Sequence, residues 1–167
     1  MILWLVGMMG SGKTTVGRAL ATRRGTSFLD PDQMVEAMSG LSVTRIFEVE
    51  GETGFRQRES EAVQAAATET STVVATGGGA VTRPENVATM QQSGVVIWLK
   101  ASVETLAKRL EGATDRPLLA WSDRQATLAT LLAEREELYA TAAEVAIDTN
   151  SLSPAEITTL AEAMWTG

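Results

Sequence analysis

The sequence predicts an α/β domain, a doubly wound parallel sheet of five strands flanked by helices. Three observations predict it. Short apolar and β-branched runs alternate with longer stretches of helical period. The runs are continuously apolar, as strands are when helices cover both faces of a sheet. The first run ends in a glycine-rich loop that opens directly onto a helical pattern. In sheets of this kind ligands bind beyond the carboxyl ends of the strands.

Taken in order, residues 2–6 (ILWLV) read as the first strand and 13–24 as the first helix. A second strand, 27–29, ends at an aspartate. Residues from 31 to about 60 interrupt the alternation and read as mostly helical, with one helix over 52–69. The third strand, 72–75, runs into three glycines. A helix over 85–92, a strand over 95–99 and a helix over 103–110 follow. Residues 111–121, EGATDRPLLAW, mix Gly, Pro and Arg without a period and read as a mobile flap. A helix over 124–142 and a strand over 145–147 come next. The last helix opens with Ser153 as N-cap and Pro154 near its first position. Trp4 and Trp98 read as strand packing. Phe47 and Phe55 read as core, with one of them able to wall a pocket. No repeat or linker divides the 167 residues, so they are expected to form a single domain.

Composition narrows the chemistry. Charged residues make up 21% and hydrophobic residues 44%, the balance of a soluble globular chain. No apolar stretch approaches the roughly 18 residues of a membrane span. The N-terminus lacks the basic start of a secretion signal. Cysteine is absent, which excludes disulfides and thiolate chemistry. These features suit a cytoplasmic protein that binds no membrane. A net charge of −7 argues against nucleic-acid binding, which needs a basic face. Histidine is absent too, so acid–base work falls to carboxylates, lysine or the single tyrosine, Tyr139. Most cations are arginines, and Arg56, Arg58, Arg116 and Arg135 sit in loop-like surroundings. Arginine is suited to bidentate capture of carboxylate or phosphate, so a small anionic ligand is expected.

The glycine loop, Gly7-Met8-Met9-Gly10-Ser11-Gly12-Lys13-Thr14, matches the phosphate-binding pattern G-x-x-x-x-G-K-[ST] in its required place between strand and helix. A triphosphate lies against consecutive backbone N–H groups, so Gly10, Ser11 and Gly12 must be small. The helix N-terminus faces the phosphates. Lys13 adds a point charge, and the Thr14 hydroxyl is placed to ligate Mg²⁺. The fold is therefore expected to be that of a P-loop NTPase. No Asn-Lys-x-Asp segment for reading guanine occurs.

Two further segments supply candidate groups. In FLDPDQM, Asp30 and Asp32 follow the second strand, and i, i+2 spacing in extended chain points both the same way. The alternative is that Asp32 merely caps a helix. In GETGFRQRE, Arg56 and Arg58 open a helix, where the dipole disfavours cations, so a partner is implied. The strand ending in Gly77-Gly78-Gly79 leaves bare N–H groups where a ligand can approach the backbone.

Together these pieces resemble the shikimate kinase family, within the nucleoside-monophosphate-kinase-like P-loop proteins. The resemblance rests on GMMGSGKTTVGRAL, FLDPDQMVEAMSG, IFEVEGETGFRQRE, TGGGAV, DRPLL, REELY and DTN, in this order. It implies ATP-dependent phosphorylation of the shikimate 3-hydroxyl by a monomer, with Mg²⁺ as cofactor. It implies that Gly10, Ser11, Gly12, Lys13, Thr14, Thr15, Arg109 and Arg116 bind ATP, with Arg109 against the adenine. Asp32 would contact the accepting hydroxyl. Arg56 and Arg135 would clamp the carboxylate, with Gly77, Gly78 and Gly79 beside them. Lys13, Asp32 and Arg116 would be the catalytic residues, and Thr14 and Asp30 the metal ligands. Residues 31–60 would form the substrate-binding subregion and 111–122 a lid. Where family members often carry a basic residue after DTN, this chain has Ser151 and Leu152. The rival readings are a gluconate-type kinase and a non-catalytic nucleotide-binding homologue. GExxFR with TGGGA favours shikimate, and retention of Lys13, Asp30, Asp32 and Arg116 favours catalysis.

Overall fold

The computed structural model describes residues 1–111 and 123–165. Five strands, β1 (Ile2–Val6), β2 (Ser27–Leu29), β3 (Thr72–Ala75), β4 (Gly94–Lys100) and β5 (Val145–Asp148), form one sheet in the order β2-β3-β1-β4-β5. Every pairing is parallel. The helices are α1 (Lys13–Arg24), α2 (Pro31–Ser39), α3 (Val43–Ala66), α4 (Pro84–Ser93), α5 (Val103–Arg109), α6 (Arg124–Ala142) and α7 (Pro154–Met164). No helix of the described residues is long and apolar enough to cross a membrane.

The continuous apolar strands have the expected cause. Along β1, Ile2, Trp4 and Val6 enter one core, which includes Val63 of α3, Met90 of α4, Leu106 of α5 and Tyr139 of α6. Leu3 and Leu5 enter a second core with Val16 and Leu20 of α1 and Ile157 and Ala161 of α7. Helices cover both faces, so neither face of β1 tolerates a polar side chain. Trp4 is fully buried, and its indole N–H donates to Ser93 Oγ at 3.0 Å. Trp98 stacks on Tyr139 with centroids 5.7 Å apart. Both tryptophans are packing residues, as expected.

The segment expected to be mostly helical consists of α2 and α3, joined through a third apolar cluster of Val35, Ile46, Phe55 and Ala62. Asp30 caps α2 by accepting from the Asp32 amide at 2.9 Å, and Pro31 follows at the first helical position. The helix expected from residue 52 is the second half of α3. Gly51, at φ 70° and ψ −175°, breaks the helical path at that point. This helix stops at Ala66 rather than at residue 69, because Thr68 turns back and donates from its hydroxyl to Ala65 O. Ser153 and Glu156 form a reciprocal capping box at the start of α7. The expected flap lies outside the described residues apart from Glu111, and Arg116 and Trp121 lie outside with it.

The topology sets the position of the site. From β1 the chain leaves through α1 towards β2 at one edge. From β3 it leaves through α4 to β4, on the other side of β1. Adjacent strands β1 and β3 therefore send their connections in opposite directions, which opens a crevice at their carboxyl ends. Both glycine loops, 7–12 after β1 and 77–79 after β3, flank this crevice.

Candidate active site

A cleft of about 740 Å³ occupies the crevice. It is lined by the loop from Met9 to Thr15, by Asp30 and Asp32, by Arg56 and Glu59, by Gly77–Gly79, and by Arg109 and Arg135. Apart from Arg58, every candidate group expected from the sequence to bind the ligands and present among the described residues lines this one cavity.

The phosphate-type loop is built as its composition dictates. Gly10 and Gly12 have φ of 82° and 97°, the left-handed region. No side chain caps α1 and no acidic residue lies in its first turn, so its N-terminus presents uncompensated N–H character to the cleft. The two methionines do not crowd the loop. Met8 and Met9 turn into the core and leave the backbone to face outward. Lys13 is buried, and its ammonium donates to the Gly7 and Met8 carbonyls at 2.8 Å each. Thr14 and Thr15 are exposed at the mouth. Arg109 stands at the rim. It donates to Thr149 Oγ1 at 3.0 Å and to Thr149 O at 2.7 Å, which ties α5 to the end of β5. Leu152, Pro154 and Ile157 give that end of the cleft an apolar wall.

The opposite end is charged. Arg56 and Arg135, both buried, come together at the second glycine loop, 77–79. A Cβ on Gly79 would lie 2.1 Å from Arg56 Nη2, and one on Gly78 would lie 3.4 Å from Arg135 Nη1. Only glycine at position 79 lets the Arg56 guanidinium sit against this backbone, whereas Arg135 lies at ordinary contact distance from Gly78. Arg56 donates to Glu59 at 2.6 Å, and Glu52 lies 3.7 Å from its Nε. Sequence reasoning missed Glu59, although its i, i+3 spacing from Arg56 was a usable signal. Arg58 does not belong to the site. It makes a two-bond pair with Glu50 at 2.9 and 2.8 Å on the protein surface. Phe47 and Phe55 stack 4.6 Å apart, and both line the cleft as well as packing in the core.

The acidic pair differs from the extended arrangement expected. Asp30 is the cap and Asp32 sits in the first turn of α2, so they do not point the same way by strand geometry. Both still line the cleft because α2 starts at its edge. Asp32 Oδ1 and Glu59 Oε1 are buried without a hydrogen-bond partner among the described residues. They converge on Gly77, at 3.1 and 2.7 Å from where its Cβ would be. Burial first, then the Glu59 and Asp30 charges, push the Asp32 carboxyl from 3.8 up to about 7, against the pull of Arg56 and Lys13. Burial also raises Glu59, opposed chiefly by Arg56. Tyr139 is removed from acid–base work at neutral pH, since burial pushes its phenol up to about 12.

Two features lie side by side in this cleft: a glycine loop opening onto an uncapped helix N-terminus, and a pocket with two arginines and a carboxyl whose pKa is raised. Among known proteins, the family model described as shikimate kinase matches residues 9–164. A shikimate kinase of Bordetella pertussis is 48% identical over 150 residues, covering 90% of this chain and 71% of that one. One of Symbiobacterium thermophilum is 51% identical over 151 residues, covering 89% of this chain and 87% of that one. The structure of shikimate kinase from Acinetobacter baumannii in complex with shikimate superposes with a TM-score of 0.91 at 39% identity, covering 95% of this chain and 89% of that one. The chain belongs to the shikimate kinase family.

Proposed function

We propose that this protein transfers the γ-phosphoryl group of ATP to the 3-hydroxyl of shikimate. The observation that carries the reading is the meeting of Arg56, Arg135 and the partnerless Asp32 oxygen at one end of a cleft whose other end is a phosphate loop.

The two arginines meet the substrate carboxylate, each charge-assisted hydrogen bond contributing about 1.5–3 kcal/mol. That selects an anion over a neutral polyol. The orphaned Asp32 oxygen accepts from the hydroxyl and orients it towards the phosphate loop. With a carboxyl near 7, Asp32 is also basic enough to take the proton at the end of a loose, late-deprotonating transfer. Lys13 and the α1 N-terminus stabilise phosphate charge. The Thr14 hydroxyl and the Asp30 carboxylate fit the oxygen-rich, water-accommodating shell of Mg²⁺, which needs only one or two carboxylates beside the phosphates. When bound there, Mg²⁺ supplies charge neutralisation at the phosphates. Residues 31–60 are the acceptor-binding subregion. The role of Arg116, meeting the transferring phosphate, rests on the sequence alone. A cytoplasmic monomer acting on free small molecules fits the composition, and sedimentation checks the oligomeric state.

The test is a coupled ADP-release assay with shikimate, quinate, gluconate and AMP in parallel. Turnover should require shikimate and Mg²⁺. Comparable turnover with gluconate would overturn the reading.

A further inference from the structure

The loop 77–79 has three carbonyls, and the middle one is held differently from the other two. Gly77 O accepts from the Ala80 amide at 3.2 Å, and Gly79 O accepts from the Thr82 amide at 3.0 Å and its hydroxyl at 2.6 Å. Those bonds are local and follow from the tight turn after the loop. Gly78 O is held from far away in sequence: the Tyr139 hydroxyl donates to it at 2.5 Å. Tyr139 lies on α6 one turn beyond Arg135 and is fully buried. Arg135 acts on the same phenol through charge and hydrogen bonding, against the rise that burial causes. Arg135 Nη1 also lies 3.4 Å from the Cβ position of Gly78. A guanidinium, a phenol and the carbonyl of the central glycine are therefore gathered at one point of the loop.

We propose that Tyr139 is a positioning residue of the acceptor site, fixing the Gly78 backbone and the Arg135 guanidinium relative to one another through its single hydroxyl. The proposal rests on the acceptor-site reading above. Its physical basis is that a peptide unit turns as a plane. Holding Gly78 O towards α6 sets the Gly78–Gly79 plane, and with it the direction of the Gly79 N–H. The same oxygen limits where Arg135 can place its fork, and a bidentate contact is sensitive to that placement. Because burial keeps the phenol protonated well above neutral pH, the donor persists across the working range.

Tyr139→Phe isolates the hydroxyl, since the ring can keep its stack on Trp98. The shikimate KM should rise about tenfold, ~1.4 kcal/mol, while kcat at saturation and the ATP KM change by less than about twofold. A merely structural tyrosine would lower stability and active fraction but leave the shikimate KM where it was, and that result overturns the proposal. If the variant fails to fold, the wild type labelled with 3-fluorotyrosine decides, because the chain has one tyrosine and hence one fluorine resonance. Shikimate without nucleotide should shift that resonance; an unmoved resonance at saturating shikimate overturns the proposal. A wild type that turns over shikimate while Tyr139→Phe matches it in every constant removes Tyr139 and leaves the function standing. A wild type inert towards shikimate removes the function, and the Tyr139 assignment falls with it.

Discussion

At the scale of single residues, the acceptor end stores unfavourable electrostatics. Asp32 has a folded pKa raised from 3.8 to about 7, so the folded state holds a proton that the unfolded state gives up. Its contribution to stability is complete below the unfolded value and is lost as pH rises towards 7. At pH 8 the carboxylate is charged in both states and the cost is fully present. Asp32→Asn should therefore stabilise the fold by about 1–2 kcal/mol at pH 8, well under the ~4 kcal/mol that the full rise from 3.8 to about 7 corresponds to, because the residue keeps solvent access. The same change should lower kcat by about 10²-fold. Urea denaturation and steady-state kinetics on one preparation check both signs. For the unmodified enzyme, kcat/KM for shikimate should fall as pH drops below about 7, since that constant reports the free enzyme's base. Arg56 faces the opposite constraint, because Glu59 is fully buried beneath it. Arg56→Met should cost about 3 kcal/mol at pH 7 by leaving that carboxylate unpaired. The loss should shrink in acid, where Glu59, with its raised pKa, takes up a proton. Arg56→Lys keeps the charge but loses the fork. It should raise the shikimate KM about tenfold with little change in ATP binding.

At the scale of elements, the break in α3 decides where Arg56 goes. Gly51 sits at φ 70°, ψ −175°, a conformation that is essentially restricted to glycine. The helix that carries Arg56 and Glu59 starts again after it, so the break aims both side chains at the loop after β3. Gly51→Ala should lower stability by about 1–3 kcal/mol. It should also weaken shikimate binding more than nucleotide binding, since α1 and the loop before it are untouched. Calorimetric titration of each ligand separately measures that ratio. Equal losses for both ligands would mean that the break serves folding alone. The phosphate loop depends on a different element pair. It follows β1 and leads into α1, and Leu3 and Leu5 of β1 share a core with Val16 and Leu20 of α1.

At the scale of the whole molecule, the proposed site joins two glycine loops that belong to adjacent strands but are separated in the chain by residues 13–76. On the proposed reading each ligand engages one loop, so each should stabilise the folded state. At 100 times its dissociation constant either one should add ~2.7 kcal/mol. Shikimate should raise the midpoint of thermal unfolding without nucleotide, and gluconate at the same concentration should not. An equal shift with gluconate would show that the arginine pair recognises any hydroxylated carboxylate.

Much of this was legible in the chain. The five strands were readable because burial on both faces demands unbroken apolar runs, as ILWLV shows. The phosphate loop was readable because its chemistry tolerates so few side chains near the backbone. The start of the last helix at Pro154 carried its own cap in Ser153. Other features were not local and could not be read in this way. Arg56 and Arg58 look alike in GFRQRE, but only one faces the cleft, because side chains two positions apart on a helix diverge by about 200°. The i, i+3 spacing offered Arg56 a partner in Glu59 and Arg58 one in Glu61 alike, so spacing alone did not show which arginine is buried. The cap of α2 went to Asp30, which moved Asp32 from an extended segment into a helical turn. The bond from Tyr139 to Gly78 joins α6 to the loop after β3, a pairing fixed by how the helix packs on the sheet. The sequence by itself determined the elements, the phosphate cradle and the stock of charges, since these follow from local sterics and burial. Tertiary structure alone decided which charges meet and which carboxylate loses its water, because both depend on distances between segments remote in the chain.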